Sequence, residues 1–509
     1  MQQLALPSSL SVPTSTDAAN PGGLSDLRQV AWICAICQFW VAVLCLGGSQ
    51  LLAESHDFSV FCGVVACIGC IIPIIYALYK KRFFVLFSCV SIFNLAPIWF
   101  LYLEVVLPGH DAYVYSRPMH KMEALFWAAA FQFFVNLIYV VLWRQLTAFS
   151  IRRFAFLAKI NLSATFYGVA AILAFTVPLL AFYYYYESFD ILWTALTAGR
   201  STGGSGGGLL VQDSTGNSSS FMLPFNWLWQ LTPLFGAITL TSAPNKLRPL
   251  PVLAMASGMV VIFVFFLGGS RSTMMFVAAP VLFFLFYYNW DKGIKFWTIA
   301  GLLLFFIIGV MEMQVRFRGN LLEVLADPEK AAHDRGLASA TTFDPSESHR
   351  DNNMYLFCLM VQGYPDRYHY EGFNDFFAVL VNPIPRALWP GKPILNGATD
   401  LSHQFSFVLD GPLFMGTTSL TYSIVGEAYQ AGGMWGIFVY AVAYALFMLG
   451  LDGMVYYAGQ RQVLSVGVLG IGVFLSFWGY RAFFALIGFT YPLILLLLLL
   501  YLLKTLRIV

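Results

Sequence analysis

Basic and aromatic side chains alternate with prolines in one stretch late in the chain, Asn382–Pro393, which reads NPIPRALWPGKP. Its four prolines favour a stiff, extended backbone, from which Arg386, Trp389 and Lys392 project. Guanidinium and ammonium groups bind phosphate, and an indole ring adds apolar contact. We name this stretch the strap and predict that it binds an anionic, partly apolar substrate such as a lipid-linked phosphate.

Further arginines accompany the strap in polar segments between apolar runs. Because arginine keeps its charge and binds phosphate with a planar fork, the set predicts a pyrophosphate site. Each arginine could instead be an interfacial anchor that reaches toward lipid headgroups. The further arginines are Arg200, which opens a Gly-rich run, Arg271 in a Gly-Ser-Arg turn, Arg316, Arg318 and Arg481.

A carboxylate and a histidine are the candidates for proton transfer. Glu427 begins an apolar run among small residues, where partial burial would suit removal of a proton from a sugar hydroxyl. His403, in the polar segment before it, is the alternative base. Glu427 could equally pair with an arginine, and a loop histidine could simply be solvated. Asp344, Glu347 and His349 could bind a cation, but their spacing is not diagnostic of a metal site, and we assign no metal ligand and no cofactor.

These residues lie in a chain that is otherwise largely apolar. Of its 509 residues 59% are hydrophobic and 11% are charged, and the mean hydropathy is +0.71. Such values are typical of polytopic helical membrane proteins, and a span needs about 20 mostly apolar residues. We therefore predict an all-α membrane protein with about twelve transmembrane helices, near 29–53, 58–79, 83–107, 124–143, 164–186, 223–243, 249–268, 272–289, 294–315, 422–450, 463–479 and 483–503.

Lysine and arginine in short loops predict the orientation. With a cytoplasmic N-terminus, fifteen of them fall in the inner segments and five in the short outer loops. Both termini are then cytoplasmic, and one large loop is extracytoplasmic. The expected division is a disordered cytoplasmic tail over 1–27, helices one to nine over 28–315, the extracytoplasmic loop domain over 316–421, and helices ten to twelve over 422–509.

Part of the large loop is expected to be helical. Phe373, Phe376, Phe377 and Leu380 recur at helical spacing beside Asp375. This pattern predicts an amphipathic helix that lies on the bilayer.

Several pieces of the chain resemble bacterial O-antigen polymerases, the Wzy-type polymerases of oligosaccharide repeat units, which are related to the O-antigen ligases. The pieces are Pro385–Pro393 of the strap, the turn Gly269–Arg271, the segment Gly426–Gly436 and the topology after residue 28. The resemblance implies a metal-independent, GT-C-like glycosyltransferase in a bacterial inner membrane, facing the periplasm. Such an enzyme moves a growing polyprenyl-diphosphate-linked glycan onto the next lipid-linked repeat unit.

The resemblance also implies roles for residues and partners. Members of the family rely on arginines in outer loops, which correspond here to Arg200, Arg271, Arg386 and Arg481. The expected partners are the lipid-linked oligosaccharide donor and acceptor, the bilayer and a chain-length regulator, with no nucleic acid. The expected catalytic residues are Arg271, Arg386, Glu427 and His403. The expected substrate-binding residues are Arg200, Arg481, Trp389, Lys392, Arg316 and Arg318.

Three other functions remain open at the level of sequence. A transporter of lipid-linked sugar would need polar groups at mid-span and an internal repeat, and neither is visible. A ligase that transfers glycan to a different acceptor is barely separable from a polymerase. A membrane acyltransferase would need a histidine reachable from the membrane, whereas all seven histidines fall in segments expected outside.

Overall fold

The computed structural model of the chain is helical throughout the part that it describes, and that part contains no strand. The described residues are 21–52, 54–80, 83–107, 117–160, 162–197, 219–267, 271–289, 298, 301–302, 327, 329–330, 353–381, 384, 388–393, 422–459 and 463–506. The helices are α1 Pro21–Leu51, α2 His56–Lys80, α3 Cys89–Val106 (with a π-helical stretch at Ile98–Tyr102), α4 Pro118–Lys159, α5 Ala164–Tyr186, α6 Phe189–Thr197, α7 Ser219–Ser242, α8 Pro249–Leu267, α9 Arg271–Asn289, α10 Asn353–Gly363, α11 Asn374–Val381, α12 Ser423–Asp452, α13 Val455–Gly459, α14 Val463–Trp478 and α15 Phe483–Thr505.

Seven of the described helices, α1 to α5, α8 and α12, are long and apolar enough to cross a membrane. Shorter apolar helices lie within α9, α14 and α15, and α7 covers another expected span. The all-α, polytopic membrane class is therefore confirmed, while the count of twelve spans stays a prediction. The expected span at 294–315 lies almost wholly outside the described residues.

Two helices have boundaries that differ from the expected spans. α4 has 42 residues, which corresponds to about 63 Å at 1.5 Å per residue, about twice the thickness of a bilayer's hydrocarbon core. It continues past the expected end at residue 143 because no proline or glycine interrupts 144–159. α1 begins at Pro21, inside the segment expected as a tail.

Amide side chains join α4 to its neighbours deep in the bundle. Asn94 of α3 and Asn136 of α4 exchange hydrogen bonds of 3.0 and 2.8 Å. One turn away, the hydroxyl of Tyr102 donates to Gln132 at 2.9 Å. Because lipid offers no competing partners, such bonds fix how neighbouring membrane helices pack.

A buried carboxylate completes the start of α3. Asp452, fully buried at the end of α12, accepts hydrogen bonds from the backbone N–H of Cys89 at 2.7 Å and of Val90 at 3.1 Å. It also accepts one from the hydroxyl of Tyr139 at 2.8 Å. The first N–H groups of a helix have no partner within the helix, so Asp452 provides the cap from a distant part of the chain.

The middle of the large loop is part of the helix bundle, because α10 packs into that bundle. Ten of its eleven residues are buried. A second carboxylate, Glu104 of α3, accepts from the backbone N–H of Asn353 at 2.9 Å and of Met354 at 3.0 Å. α10 therefore begins inside the protein with its first donors satisfied.

The helix expected at 373–380 is present as α11. Its Ala378 and Val379 are buried, while Phe377 and Leu380 are exposed. The helix is thus confirmed, while its amphipathic contact with the bilayer stays a prediction.

Replacing Asp452 with alanine should destabilise the protein. The change leaves three buried donors unsatisfied, at a cost of about 1–3 kcal/mol each. We expect Asp452→Ala to lower the apparent melting temperature in detergent by several degrees, measured by size-exclusion chromatography after heating. The matched control is Ser465→Ala, because the buried Ser465 hydroxyl has no hydrogen-bond partner among the described residues; its midpoint should not fall. Equal midpoints for Asp452→Ala and the unchanged protein would contradict the capping role.

Candidate functional site

The helix α12 is broken near its first third. Gly432 (φ 179°, ψ 33°) and Gly433 (φ 55°, ψ −128°) leave the helical conformation and separate residues 423–431 from 434–452. A positive φ favours glycine. A Cβ on Gly433 would also lie 2.6 Å from the hydroxyl oxygen of Tyr370. Broken helices at membrane depth are tolerated where neighbouring protein satisfies the freed backbone groups.

The segment after α10 supplies hydrogen-bond partners to the backbone and side chains near this break. The backbone N–H of Glu371 donates to the carbonyl of Gln430 at 3.1 Å. The Gln430 side-chain amide in turn donates to Glu371 Oε1 at 2.6 Å. The hydroxyl of Tyr364 donates to the same oxygen at 3.2 Å, and the hydroxyl of Tyr422 donates to Gln430 Oε1. The large loop and the first part of α12 thus form one hydrogen-bonded unit.

Glu427 lies on this first part of α12 and reaches the start of α15. Its Oε2 accepts from the backbone N–H of Phe483 at 2.8 Å, and its side chain is half-buried. The residue before α15, Ala482, provides no side-chain cap, so Glu427 takes that place. Nearby, the backbone N–H of Ile424 donates to the carbonyl of Tyr480 at 3.0 Å.

Arg481 lies in the turn that Glu427 holds. It is two residues before Phe483, half-buried, and its guanidinium carbon lies 5.6 Å from the centre of the Trp478 ring. A guanidinium over an aromatic face is attracted by the ring. This contact orients Arg481 at the same end of the bundle as Glu427.

Tyr422, which precedes α12, is buried, and its hydroxyl donates to Gln430. Burial raises the pKa of Tyr422 well above its usual value, and the charges of Glu427, Glu371 and Asp375 raise that pKa further. Tyr422 therefore stays protonated and keeps donating to Gln430. We name Glu371, Asp375, Tyr422, Glu427 and Arg481 the Glu427 cluster.

The helix α11 closes one side of the Glu427 cluster. Phe376 stacks on Phe483 with ring centres 4.8 Å apart and planes 7° apart, and it also contacts Tyr440 of α12 at 5.2 Å. The hydroxyl of Tyr491 on α15 donates to the carbonyl of Val379. These contacts place Asp375 beside the start of α15.

The described part of the strap shows two of its three predicted side chains. Lys392 is buried, and its Nζ donates to the carbonyl of Ile384 at 2.9 Å. Trp389 is 41% exposed, and its carbonyl accepts from the backbone N–H of Lys392 at 3.2 Å. The strap is therefore tied to itself by Lys392, while Trp389 is available for contact.

Of the predicted site residues, Glu427 and Arg481 lie on two segments that the Phe483–Glu427 hydrogen bond joins. Arg271 is the first residue of α9. The remaining predicted residues lie outside the described part of the chain; they are Arg200, Arg316, Arg318, Arg386 and His403. Among the described residues, no group of three or more His, Cys, Asp or Glu is placed to hold a metal ion.

Sequence reasoning did not select Glu371, Gln430 or Tyr422. They contribute through a network that joins residues 59 positions apart, and no local spacing shows such a contact. The usable signal was the Gly432–Gly433 pair inside an apolar run, which indicates a helix break.

Comparison of the chain with protein-family models, with curated proteins and with solved structures finds no match.

A side chain at Gly433 should disrupt the site. Gly433→Ala places a Cβ against the Tyr370 hydroxyl and costs about 1–2 kcal/mol for the left-handed backbone alone. We expect a lower yield of monodisperse protein and a lower melting temperature, both measured in detergent. Gly450→Ala is the matched control on the same helix, because a Cβ there meets nothing within 4 Å. Indistinguishable behaviour of the two variants would show that the break does not need glycine.

Proposed function

We propose that this protein is a membrane glycosyltransferase that polymerises polyprenyl-diphosphate-linked oligosaccharide repeat units. The acceptor hydroxyl loses its proton to a base, and its oxygen forms a bond to the anomeric carbon of the donor glycan. The bond between that carbon and the diphosphate oxygen breaks, and polyprenyl diphosphate leaves with the electron pair. No nucleotide enters this step, because the diphosphate link already stores the driving energy.

The observation that carries the proposal is that Glu427 is hydrogen-bonded to the start of α15, two residues after Arg481. One hydrogen bond, from Phe483 to Glu427, joins the helix that bears the carboxylate to the turn that bears the guanidinium. Glycosyl transfer from a diphosphate needs a base for the acceptor and a positive charge for the leaving group. Both types of group occur on the two segments that this bond joins.

The surroundings of these two residues fit their proposed roles. The Phe483 N–H fixes the orientation of the Glu427 carboxylate, and the Trp478 ring fixes the guanidinium of Arg481. A catalytic group works best when packing and hydrogen bonds hold it in place. Trp389 of the strap offers an exposed indole, in keeping with an amphiphilic substrate.

The break in α12 favours one second candidate, a transporter of lipid-linked sugar. Transporters commonly bind substrate at discontinuous membrane helices, and α12 is discontinuous at Gly432–Gly433. Purified protein in liposomes with lipid-linked repeat units separates the two candidates. Polymer formed from units on one side supports the transferase, whereas movement of units across the bilayer without polymer supports the transporter.

Removing the charge of Arg481 should abolish polymer formation. Arg481→Ala takes away a group proposed to stabilise the departing diphosphate, which corresponds to a loss of about a hundredfold or more in rate. Polymer ladders on gels of producing cells provide the measurement, with protein amounts checked in parallel. Cells that accumulate single repeat units show a polymerase, and cells that accumulate long lipid-linked polymer show a ligase.

The matched control is Arg153→Ala. Arg153 also lies over an aromatic ring, that of Phe149 at 5.0 Å, but on the long extension of α4. Its removal should leave the ladders intact. Normal ladders in Arg481→Ala would defeat the proposed function.

Two substitutions at Glu427 should separate its capping from its chemistry. Glu427→Gln keeps a side-chain oxygen for the Phe483 N–H but cannot act as a base, so the melting temperature should hold while the rate falls about 10²- to 10⁴-fold. Glu427→Ala should lose both stability and rate. Full activity in Glu427→Gln, measured on purified lipid-linked units, would assign Glu427 a structural role alone.

A further inference from the structure

The first half of α7 carries polar side chains that have no hydrogen-bond partner among the described residues. Asn226 and Gln230 are 5% and 7% exposed, and their side-chain oxygens have no hydrogen-bond partner among the described residues. The same holds for the indole N–H of Trp229 and the hydroxyl of Thr232. A buried polar atom without a partner lowers the stability of the fold by about 1–3 kcal/mol. A cluster of such atoms within one helix therefore indicates a functional reason for keeping them.

In the second half of the same helix, polar side chains donate hydrogen bonds to the helix backbone. The hydroxyl of Thr239 donates to its own helix at the carbonyl of Phe235, at 2.7 Å, and Thr241 donates to Ala237 at 2.8 Å. Polar residues of α7 can therefore be satisfied locally. The first half differs in this respect.

Prolines bracket the unsatisfied segment. α7 contains Pro224 and Pro233, and proline has no N–H to donate. The carbonyl of Trp229 consequently receives no helical hydrogen bond from Pro233. The backbone carbonyl of Trp229 is thus a further hydrogen-bond acceptor in this segment.

One side of α7 is closed by tight packing. A Cβ on Gly258 of α8 would lie 2.7 Å from the Cα of Pro233, and one on Gly236 would lie 2.6 Å from the carbonyl oxygen of Ala254. The Trp229 ring contacts aromatic rings of α5 and α8. Asn226 lies four residues before Gln230 and three before Trp229, so the two amides share one face of the helix and Trp229 borders that face.

That half of α7 is linked to the Glu427 cluster through α15 and α11. The Trp227 ring lies 5.0 Å from that of Tyr491 on α15, and the Tyr491 hydroxyl donates to Val379 of α11. α11 stacks on Phe483, whose N–H is held by Glu427. α7 also packs against α9, which begins at Arg271.

The chemistry of the two amides defines what they would bind. Their unsatisfied oxygens accept hydrogen bonds, so the ligand must donate them. An uncharged donor fits this helix, because α7 itself carries no charged residue that would compensate a buried ion. Lipid tails offer no donors, whereas a sugar ring offers several hydroxyl groups.

We propose that Asn226 and Gln230 bind hydroxyl groups of a sugar in the lipid-linked glycan, at the membrane-embedded side of the Glu427 cluster. This inference rests on the proposed function and adds a place for the saccharide. It assigns α7 to sugar recognition and leaves the diphosphate to the arginines.

The test uses apolar substitutions of matching size, Asn226→Leu with Gln230→Met, in full-length protein in nanodiscs. The probes are lipid-linked oligosaccharide extracted from cells that lack this protein, and undecaprenyl diphosphate without sugar. Two lost hydrogen bonds should weaken binding of the sugar-bearing lipid about tenfold, while binding of the sugar-free lipid stays unchanged. Thr239→Val is the matched control, because its buried hydroxyl bonds its own helix, and it should bind both lipids normally.

The remaining outcomes are equally decisive. Unchanged binding of the sugar-bearing lipid, together with a raised melting temperature, would overturn the inference and leave two amides that serve no ligand. Equal weakening for both lipids would overturn it as well. If the double variant fails to fold, each single variant should show about a threefold loss, and no loss in either would refute the sugar site.

The two proposals can fail separately. If the unchanged protein binds neither lipid, the proposed function fails and the sugar site with it. If ladders disappear in Arg481→Ala while the α7 variants bind sugar-bearing lipid normally, the sugar site alone is wrong.

Discussion

The described architecture depends on carboxylates that complete the starts of helices inside the protein. Asp452 caps α3, Glu104 caps α10 and Glu427 caps α15. In each case the acceptor comes from a distant element, as far as 363 residues away along the chain for Cys89 and Asp452. Where no water reaches, the first N–H groups of a helix need such acceptors, and a negative charge there is favoured by the helix dipole. These bonds therefore determine which helices pack together and how they are positioned along one another's axes.

Glu427 differs from the other two capping residues in its surroundings. Asp452 and Glu104 are buried, whereas Glu427 is half-buried and holds the turn that bears Arg481. The bond that caps α15 thus also joins the segments that carry a carboxylate and a guanidinium, the two kinds of group that suit transfer chemistry. Structural need and proposed catalytic use coincide at this one carboxylate.

Apolar periodicity and length predicted most helices, because a membrane span is a local property of about 20 residues. The same local logic found α11 and selected Glu427 and Arg481. It missed α10, whose eleven residues are too few to span and whose burial depends on α4 and α12. It also missed the caps and the Gln430–Glu371 network, since those contacts join residues remote in sequence. The length of α4 was underestimated because helix propensity continues beyond the apolar run.

The break at Gly432–Gly433 has a consequence for how the chain is made. The Gln430 carbonyl that it frees is taken by Glu371, a residue that leaves the ribosome some sixty positions earlier. α10 packs on α4 and is capped by Glu104 of α3, both of which precede it in the chain, so only the segment that carries Glu371 must wait for α12. The contact between the segment after α10 and α12 therefore forms only once the later helix has been made, whatever the order in which the earlier helices pack.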